Sequence, residues 1–312
     1  FKIGEVAAAA HASVGVAVND IWELKTGRRQ KIQISVRSAA ASLNSNKFIE
    51  TRHASGEFLK LVDRDHEFNR QLNGIYRTKD GRWVLPHFGL NHLRDRMLGL
   101  LEACPDQLSI SKAVSKWDAI ELENAIAEMK LCGGMVRTNS EWLEEPHGTV
   151  LSKKPVIEII KIGDSDPEPI PSGSRPLSGV RVLDLTRILA GPIAARTLAE
   201  HGADVLMVTA KNLPQVHAYV ADTSHGKRSC FVEIKNNEGA RQLKDLVIGA
   251  DIFSQGYRPD ALSKLGFGPE ELSEIRPGII YLSINCFGFD GPFSNRGGWE
   301  QVAQIMTGLT TE

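Results

Sequence analysis

Apolar residues change period several times along the chain, and each change marks an element. The clearest stretch is residues 179–209, GVRVLDLTRILAGPIAARTLAEHGADVLMVT. A Val- and Leu-rich run over 180–185 suits a strand buried on both faces. Ala190, Gly191 and Pro192 then open an amphipathic helix over 193–201, Gly202 stops it, and 203–208 is a second buried run. Such a βαβ unit opens its turn at the carboxyl edge of a parallel sheet, where α/β folds place ligands. The alternation continues downstream. After a loop over 211–224 come a basic turn and strand (HGKRSCFVEIK), a helix stopped at Gly249, a strand into a loop (ADIFSQGYRPD), and a short helix (PEELSEIRPG). A buried strand (GIIYLSINCFG), a glycine-rich loop and the start of a helix at WEQVAQIMTG complete it. The spacing predicts a doubly wound, Rossmann-like parallel sheet in an α/β protein.

Upstream the pattern differs. Residues 6–24 are an alanine-rich helix, and the alternation of Ile32, Ile34 and Val36 with polar neighbours predicts a strand over 31–36 with one wet face, before a helix from Ser38. Residues 50–73 read as a polar loop, and 75–85 as a hairpin turning at Asp80 and Gly81. Helices follow at 91–102, 111–117 and 119–130. Gly133 and Gly134 break the last one before a strand at 135–138 and a short helix at 140–145. Residues 154–162, KPVIEIIKI, predict one more strand, and 163–176, GDSDPEPIPSGSRP, a linker. The expected organisation is therefore a helix and strand in 1–50 packing on a large domain, a small α+β domain in 51–162, the linker at 163–176, and the Rossmann-like domain in 177–312.

Composition narrows the function classes. With 312 residues, 42% hydrophobic and 24% charged, the chain is an ordinary globular protein long enough for two domains, and disordered and collagen-like readings are excluded. A net charge of −1, with Lys and Arg scattered, leaves no footprint for nucleic acid or an anionic membrane. No apolar run approaches the roughly 20 residues of a membrane span, and the opening residues lack the cleavage region of a signal peptide. Four separated cysteines read as core thiols in a reducing compartment, hence an intracellular and most simply cytoplasmic protein. His53 and His66 lie near acids but match no ligand spacing, so no metal is expected. The chain begins at Phe1 and stops in mid-pattern at TGLTTE, and both ends are expected to be cut from something longer.

Several motifs stand in a telling order. LDLTRILAGP precedes LAEHGADVLMV, GKRS (226–229) follows, and then QGYRP (255–259); Thr26 and Gly27 form a turn after the first helix, and SEWLEEPHG lies near 145. Together these resemble the class III CoA-transferases, the family of formyl-CoA transferase, carnitine CoA-transferase and α-methylacyl-CoA racemase. The resemblance covers nearly the whole chain with its halves in rotated order, as in a permuted or tandem protein. It implies an acyl-CoA donor and a carboxylic acid acceptor, with CoA held by Ala190, Gly191, Pro192, Gly226, Lys227, Arg228, Gly256, Tyr257 and Arg258. Of these, Lys227, Arg228 and Arg258 would meet phosphates and Tyr257 would flank the adenine. Thr209 and Leu189 depart from the family pattern. An NAD-binding reading fails because no G-x-G-x-x-G follows the first strand.

In the family, an aspartate attacks the thioester and carries first the acyl group and then CoA. Aligned on the Thr26 turn, that position falls on Glu5; the alternatives are an aspartate beyond Glu312, and an ordinary acid at a helix start. Glu300 is a second candidate site acid. Racemase relatives carry His-Asp where this chain has Trp299 and Glu300, which removes the α-proton base. A racemase or isomerase and an inactive CoA-binding relative remain the alternative readings. The resemblance also implies an interlocked homodimer.

Overall fold

The computed structural model describes residues 1–59 and 63–311. In chain order the elements are α1 (Ile3–Thr26), α2 (Val36–Ser42), β1 (Thr51–Arg52), β2 (Phe58–Leu59), α3 (Arg64–Leu72), β3 (Tyr76–Arg77), β4 (Trp83–Pro86), α4 (Asn91–Leu101), α5 (Gln107–Val114), α6 (Ala119–Glu128), β5 (Gly133–Met135), α7 (Asn139–Glu144) and α8 (Pro146–Leu151). After a long extended stretch come β6 (Arg181–Asp184), α9 (Ala190–Glu200), β7 (Asp204–Thr209), α10 (His217–Thr223), β8 (Lys227–Phe231), α11 (Asn237–Ile248), β9 (Ile252–Gln255), α12 (Pro269–Ile275), β10 (Ile280–Ser283) and α13 (Glu300–Met306). They group into two compact units. The first holds Phe1–Leu61, Lys161–Gly256 and Leu262–Ile284; the second holds Val62–Ile160, Tyr257–Ala261 and Asn285–Glu312. Residues 285–312, expected with the Rossmann-like domain, thus group with the second unit.

The first unit is built on a five-stranded parallel sheet of order β10-β9-β6-β7-β8. Chain order reverses beside β6, the doubly wound arrangement that leaves a crevice at the carboxyl ends of the central strands. Val182 and Val205 pack with Ala195 and Ala199 of α9, and Ile21 of α1 covers the same cluster. Small residues on α9 let the helix lie close to the sheet. The first 50 residues differ from expectation at 31–36. Among the described residues these pair with no strand: Ile32 lies against Gly15 and Val36 against Gly4 of α1, and Ile32, Ile34 and Val36 all remain at least 37% exposed. Asn19 holds the connection by exchanging two hydrogen bonds with the backbone of Gln30, and Ser35 caps α2 by accepting from the Ser38 N–H.

The second unit carries the antiparallel sheet β3-β4-β5, with the expected hairpin turning at Asp80 and Gly81. Helices α4, α5 and α6 cover one core through Met97, Ile110, Leu122 and Ile126, while Val302, Ile305 and Met306 of α13 enter another with Leu85 and Trp142. Gly133 and Gly134, expected to break the helix ahead of a strand at 135–138, lie after the end of α6 and inside β5 itself. A Cβ on Gly133 would stand 2.6 Å from the Leu85 carbonyl oxygen, so glycine permits the close pairing. Within 50–73, α3 replaces part of the expected loop. Asp63 accepts the His66 N–H at its start, acids fill its first turn and Arg70 its last, so capping and the helix dipole support a segment with little apolar signal. Residues 60–62 of that stretch lie outside the described residues. The helix expected over 111–117 starts earlier, at Gln107, because Asp106 caps it. Residues 154–162 form no strand, and Val156, Ile157, Ile159 and Ile160 are each at least 72% exposed. Of the cysteines, Cys132 is buried whereas Cys104 and Cys286 are exposed, so two of the four are not core thiols.

Candidate functional site

Strand β6 ends at Asp184, and residues 185–189 turn the chain into α9. The turn is fixed from below. Asp184 is fully buried and accepts from the Thr186 N–H at 3.0 Å and from the Thr186 hydroxyl. Its other oxygen accepts from Lys227 Nζ at 2.8 Å, and the same ammonium donates to the Pro192 carbonyl at 2.8 Å. The Lys227 side chain is 1% exposed. Burial draws its pKa below the usual lysine range, against the opposing pull of Asp184. Above this pair, Gly191 lies so near Thr186 that a Cβ there would fall 2.3 Å from the Thr186 Cβ. Ile188 has φ +72°, a left-handed conformation that a β-branched side chain strongly disfavours. Such a residue persists only where its surroundings fix it.

Two hollows open at the carboxyl edge of the sheet. A narrow cleft of about 30 Å³ lies between the turn and α10, lined by Thr186, Ile188, Pro192, Met207, Tyr219 and Val220 among others. Beside it, at the ends of β7 and β8, a depression of about 310 Å³ is lined by Ala210, Lys211, Leu213, Gln215, His217 and Phe231. Phe231 is 62% exposed, so an aromatic face stands in water there. Helix α10 occupies part of what reads in sequence as a loop. Its buried Asp222 accepts from Arg196 at 2.6 Å and from Ser45 at 2.5 Å, which ties α10 to α9 and to the segment after α2.

The expected site residues fall in several places. Ala190, Gly191, Pro192 and Gly256 lie at the carboxyl edge, with Ala190 and Gly256 exposed. Gly226, Lys227 and Arg228 lie instead at the amino end of β8, because parallel strands send their starts to the opposite edge. Arg228 is paired there with Asp204 at the start of β7, and Lys227 is enclosed as described. Tyr257 and Arg258 group with the second unit, Tyr257 half-buried and Arg258 exposed. Glu5 is exposed in the first turn of α1, in the first unit. Glu300 is exposed at the start of α13, in the second unit, and accepts from Gln304 one turn on. Lys211 and His217 went unmarked in the sequence; their signal was position, a lysine and a histidine just after the second strand of the βαβ unit. Among the described residues no group of three His, Cys, Asp or Glu side chains is placed to hold a metal, and no helix is long and apolar enough to cross a membrane.

The family model for CoA-transferase family III matches residues 1–154 and 177–311. The chain belongs to this family. The unmatched stretch between the two segments, residues 155–176, comprises the proline-rich linker and most of the exposed run before it. Among family III relatives, the acetyl-coenzyme A transferase nodX of Hypoxylon pulicicidum is 32% identical over 264 residues, 77% of this chain and 44% of that protein. The succinyl-CoA:glutarate CoA-transferase of Mus musculus is 40% identical over 147 residues, 43% of this chain and 34% of that protein. The chain thus spans less than half the length of either. A solved structure, Rv3272 from M. tuberculosis, is 31% identical and covers 45% of this chain and 42% of its own, with a TM-score of 0.42.

Proposed function

We propose that this family III protein moves CoA from an acyl-CoA to a carboxylic acid, binding CoA along the carboxyl edge of the parallel sheet. The observation that carries the reading is the meeting, at one edge, of the αL-strained turn before α9 and the depression holding Lys211, His217 and Phe231. An adenine needs an apolar or aromatic face and its phosphates need cations and N–H donors. Phe231 supplies the face, Lys211 the charge, His217 an imidazole for hydrogen bonding, and the first turn of α9, with Ala190 and Gly191, the backbone donors. Gly226 and Arg228 are no part of this site, since they lie at the other edge.

Transfer in this reading is covalent. An enzyme carboxylate attacks the thioester carbon, the C–S bond breaks, and CoA leaves as thiolate from a mixed anhydride. The thiolate then attacks the enzyme's own carbonyl, releasing the donor acid and leaving an enzyme–CoA thioester. The acceptor carboxylate opens that thioester to a second anhydride, and the thiolate returns to the acceptor's carbonyl, restoring the enzyme carboxylate. Glu5 is the carboxylate this chain offers at the family position, and its exposure in a helix's first turn leaves it open to attack a substrate. The mouse relative's name pairs succinyl-CoA with glutarate, which makes short dicarboxylates the first acceptors to try.

Trapping with hydroxylamine tests this directly. The protein is incubated with succinyl-CoA and hydroxylamine and digested, and the hydroxamate is located by mass spectrometry. A hydroxamate on Glu5, absent in Glu5→Gln, is expected. Exchange of the α-hydrogen in deuterium oxide without any acceptor acid would move the reading to a racemase, and CoA binding with neither reaction would move it to an inactive relative.

A further inference from the structure

We infer that Lys227, through its pair with Asp184, is a positioning residue for CoA: it shapes the turn at residues 186–192 without touching the ligand. This rests on the CoA-binding reading above. Lys227 enters from the amino end of β8, and its ammonium reaches acceptors on two other elements. One is Asp184 at the end of β6, the other the Pro192 carbonyl in the first turn of α9, each at 2.8 Å. Asp184 in turn holds Thr186 through its N–H and hydroxyl, and Thr186 packs against Gly191. The chain of contacts therefore closes on both ends of the turn, with the left-handed Ile188 between them lining the cleft.

A buried Lys–Asp pair is a poor device for stability, because desolvation offsets most of the attraction and an apolar pair of similar volume often does as well. What an apolar pair lacks is direction. Only hydrogen bonds of fixed geometry can hold the Pro192 carbonyl and the Thr186 backbone in register while a disfavoured φ is imposed between them. Removing them leaves the turn free to relax away from the geometry that the ligand meets.

The Asp184→Leu/Lys227→Met double variant separates the two roles, with Thr186→Val as a milder companion that keeps both charges. In the full chain, melting temperature, CoA affinity by calorimetry, and KM and kcat for succinyl-CoA are measured. The double variant should melt within a few degrees of wild type yet bind CoA about tenfold more weakly, with KM raised more than kcat is lowered, because small displacements in a site cost large factors. Thr186→Val should weaken CoA about threefold. Folded variants with wild-type CoA affinity, while wild type itself binds CoA, would overturn this role alone. If the double variant does not fold, the same comparison on Thr186→Val decides. No CoA binding by wild type would sink the site reading and this role together.

Discussion

Replacing Glu123 with glutamine strips one charge from the most enclosed ion cluster of the second unit. Glu123 and Arg137 are 3% and 4% exposed in their side chains, and the carboxylate accepts two guanidinium bonds at 2.7 and 2.8 Å. It also accepts the Met135 N–H at 2.7 Å and pairs with Arg296 at 3.0 Å. Glutamine preserves the shape, so the cost is electrical: the buried Arg137 guanidinium is left with the more distant Glu145 carboxylate at 3.5 Å, and the half-buried Arg296 loses its pairing with Glu123. Breaking one side of such a buried pair costs about 3–5 kcal/mol. At about 2–4 °C per kcal/mol for a unit of this size, melting should fall by roughly 10 °C. The measurement is a thermal melt with urea unfolding at pH 7. Acid supplies the second half of the test. Burial pushes the Glu123 pKa up, but the hydrogen bonds and charge of Arg137 outweigh it and hold the carboxyl below the usual glutamate value. A depressed carboxylate stabilises the fold above the unfolded-state pKa of about 4.3 and loses that contribution as pH falls further. Wild type should therefore approach Glu123→Gln in stability well below pH 4. A melting loss under about 2 °C at pH 7, or a gap that persists in acid, would refute the cluster's importance.

Three further outcomes are expected. Gly191→Ala forces a Cβ into Thr186 and should cost about 1–3 kcal/mol in urea unfolding, while raising KM for acyl-CoA. Burial lowers the His87 pKa to about 4, so this imidazole stays neutral in the fold while its unfolded counterpart, near 6.5, takes a proton. Stability should consequently fall as pH drops from about 6.5 to 4, by up to about 3 kcal/mol, and His87→Asn should flatten that slope in pH-dependent unfolding. Lys211→Ala should raise KM for acyl-CoA about tenfold and weaken the salt dependence of binding, with melting unchanged, as titration calorimetry at two ionic strengths would read.

The alternating half of the fold was legible because its strands are buried on both faces and its helices end at glycines; β6, α9, β7, α11 and β9 all lie within a few residues of where periodicity puts them. Misreadings occurred where a second element decides the outcome. Ile32, Ile34 and Val36 carry a strand's alternation, yet Ile32 and Val36 lie against glycines of α1 and Val36 already begins α2. Residues 64–72 carry almost no apolar signal, and a cap made the helix. For the site, the turn before α9 was visible as Ala190, Gly191 and Pro192. The basic motif at 226–229 stands out by its resemblance to the family's and by its charge, but only three-dimensional pairing shows that a strand's first residues face away from the carboxyl edge. Lys211 and His217 carry no periodic signal and gain meaning only from the hollow around them.

The first unit is assembled from three stretches of chain with the bulk of the second unit inserted after the first. Lys25 near the end of α1 donates to the Ser178 carbonyl at 3.1 Å, across 153 residues of sequence. Closing a loop of that length carries an entropic cost of about 4 kcal/mol, which contacts within the unit must recover. During synthesis α1 can pack at once on the segment that follows it, but Ile21 gains its cluster partners only when β6, α9 and β7 have followed, and α4, α5 and α6 can meanwhile collapse on their own local contacts. An order of closure follows: the core that α13 completes with Val302, Ile305 and Met306 is the last to shut, because those residues leave the ribosome after every stretch of the first unit.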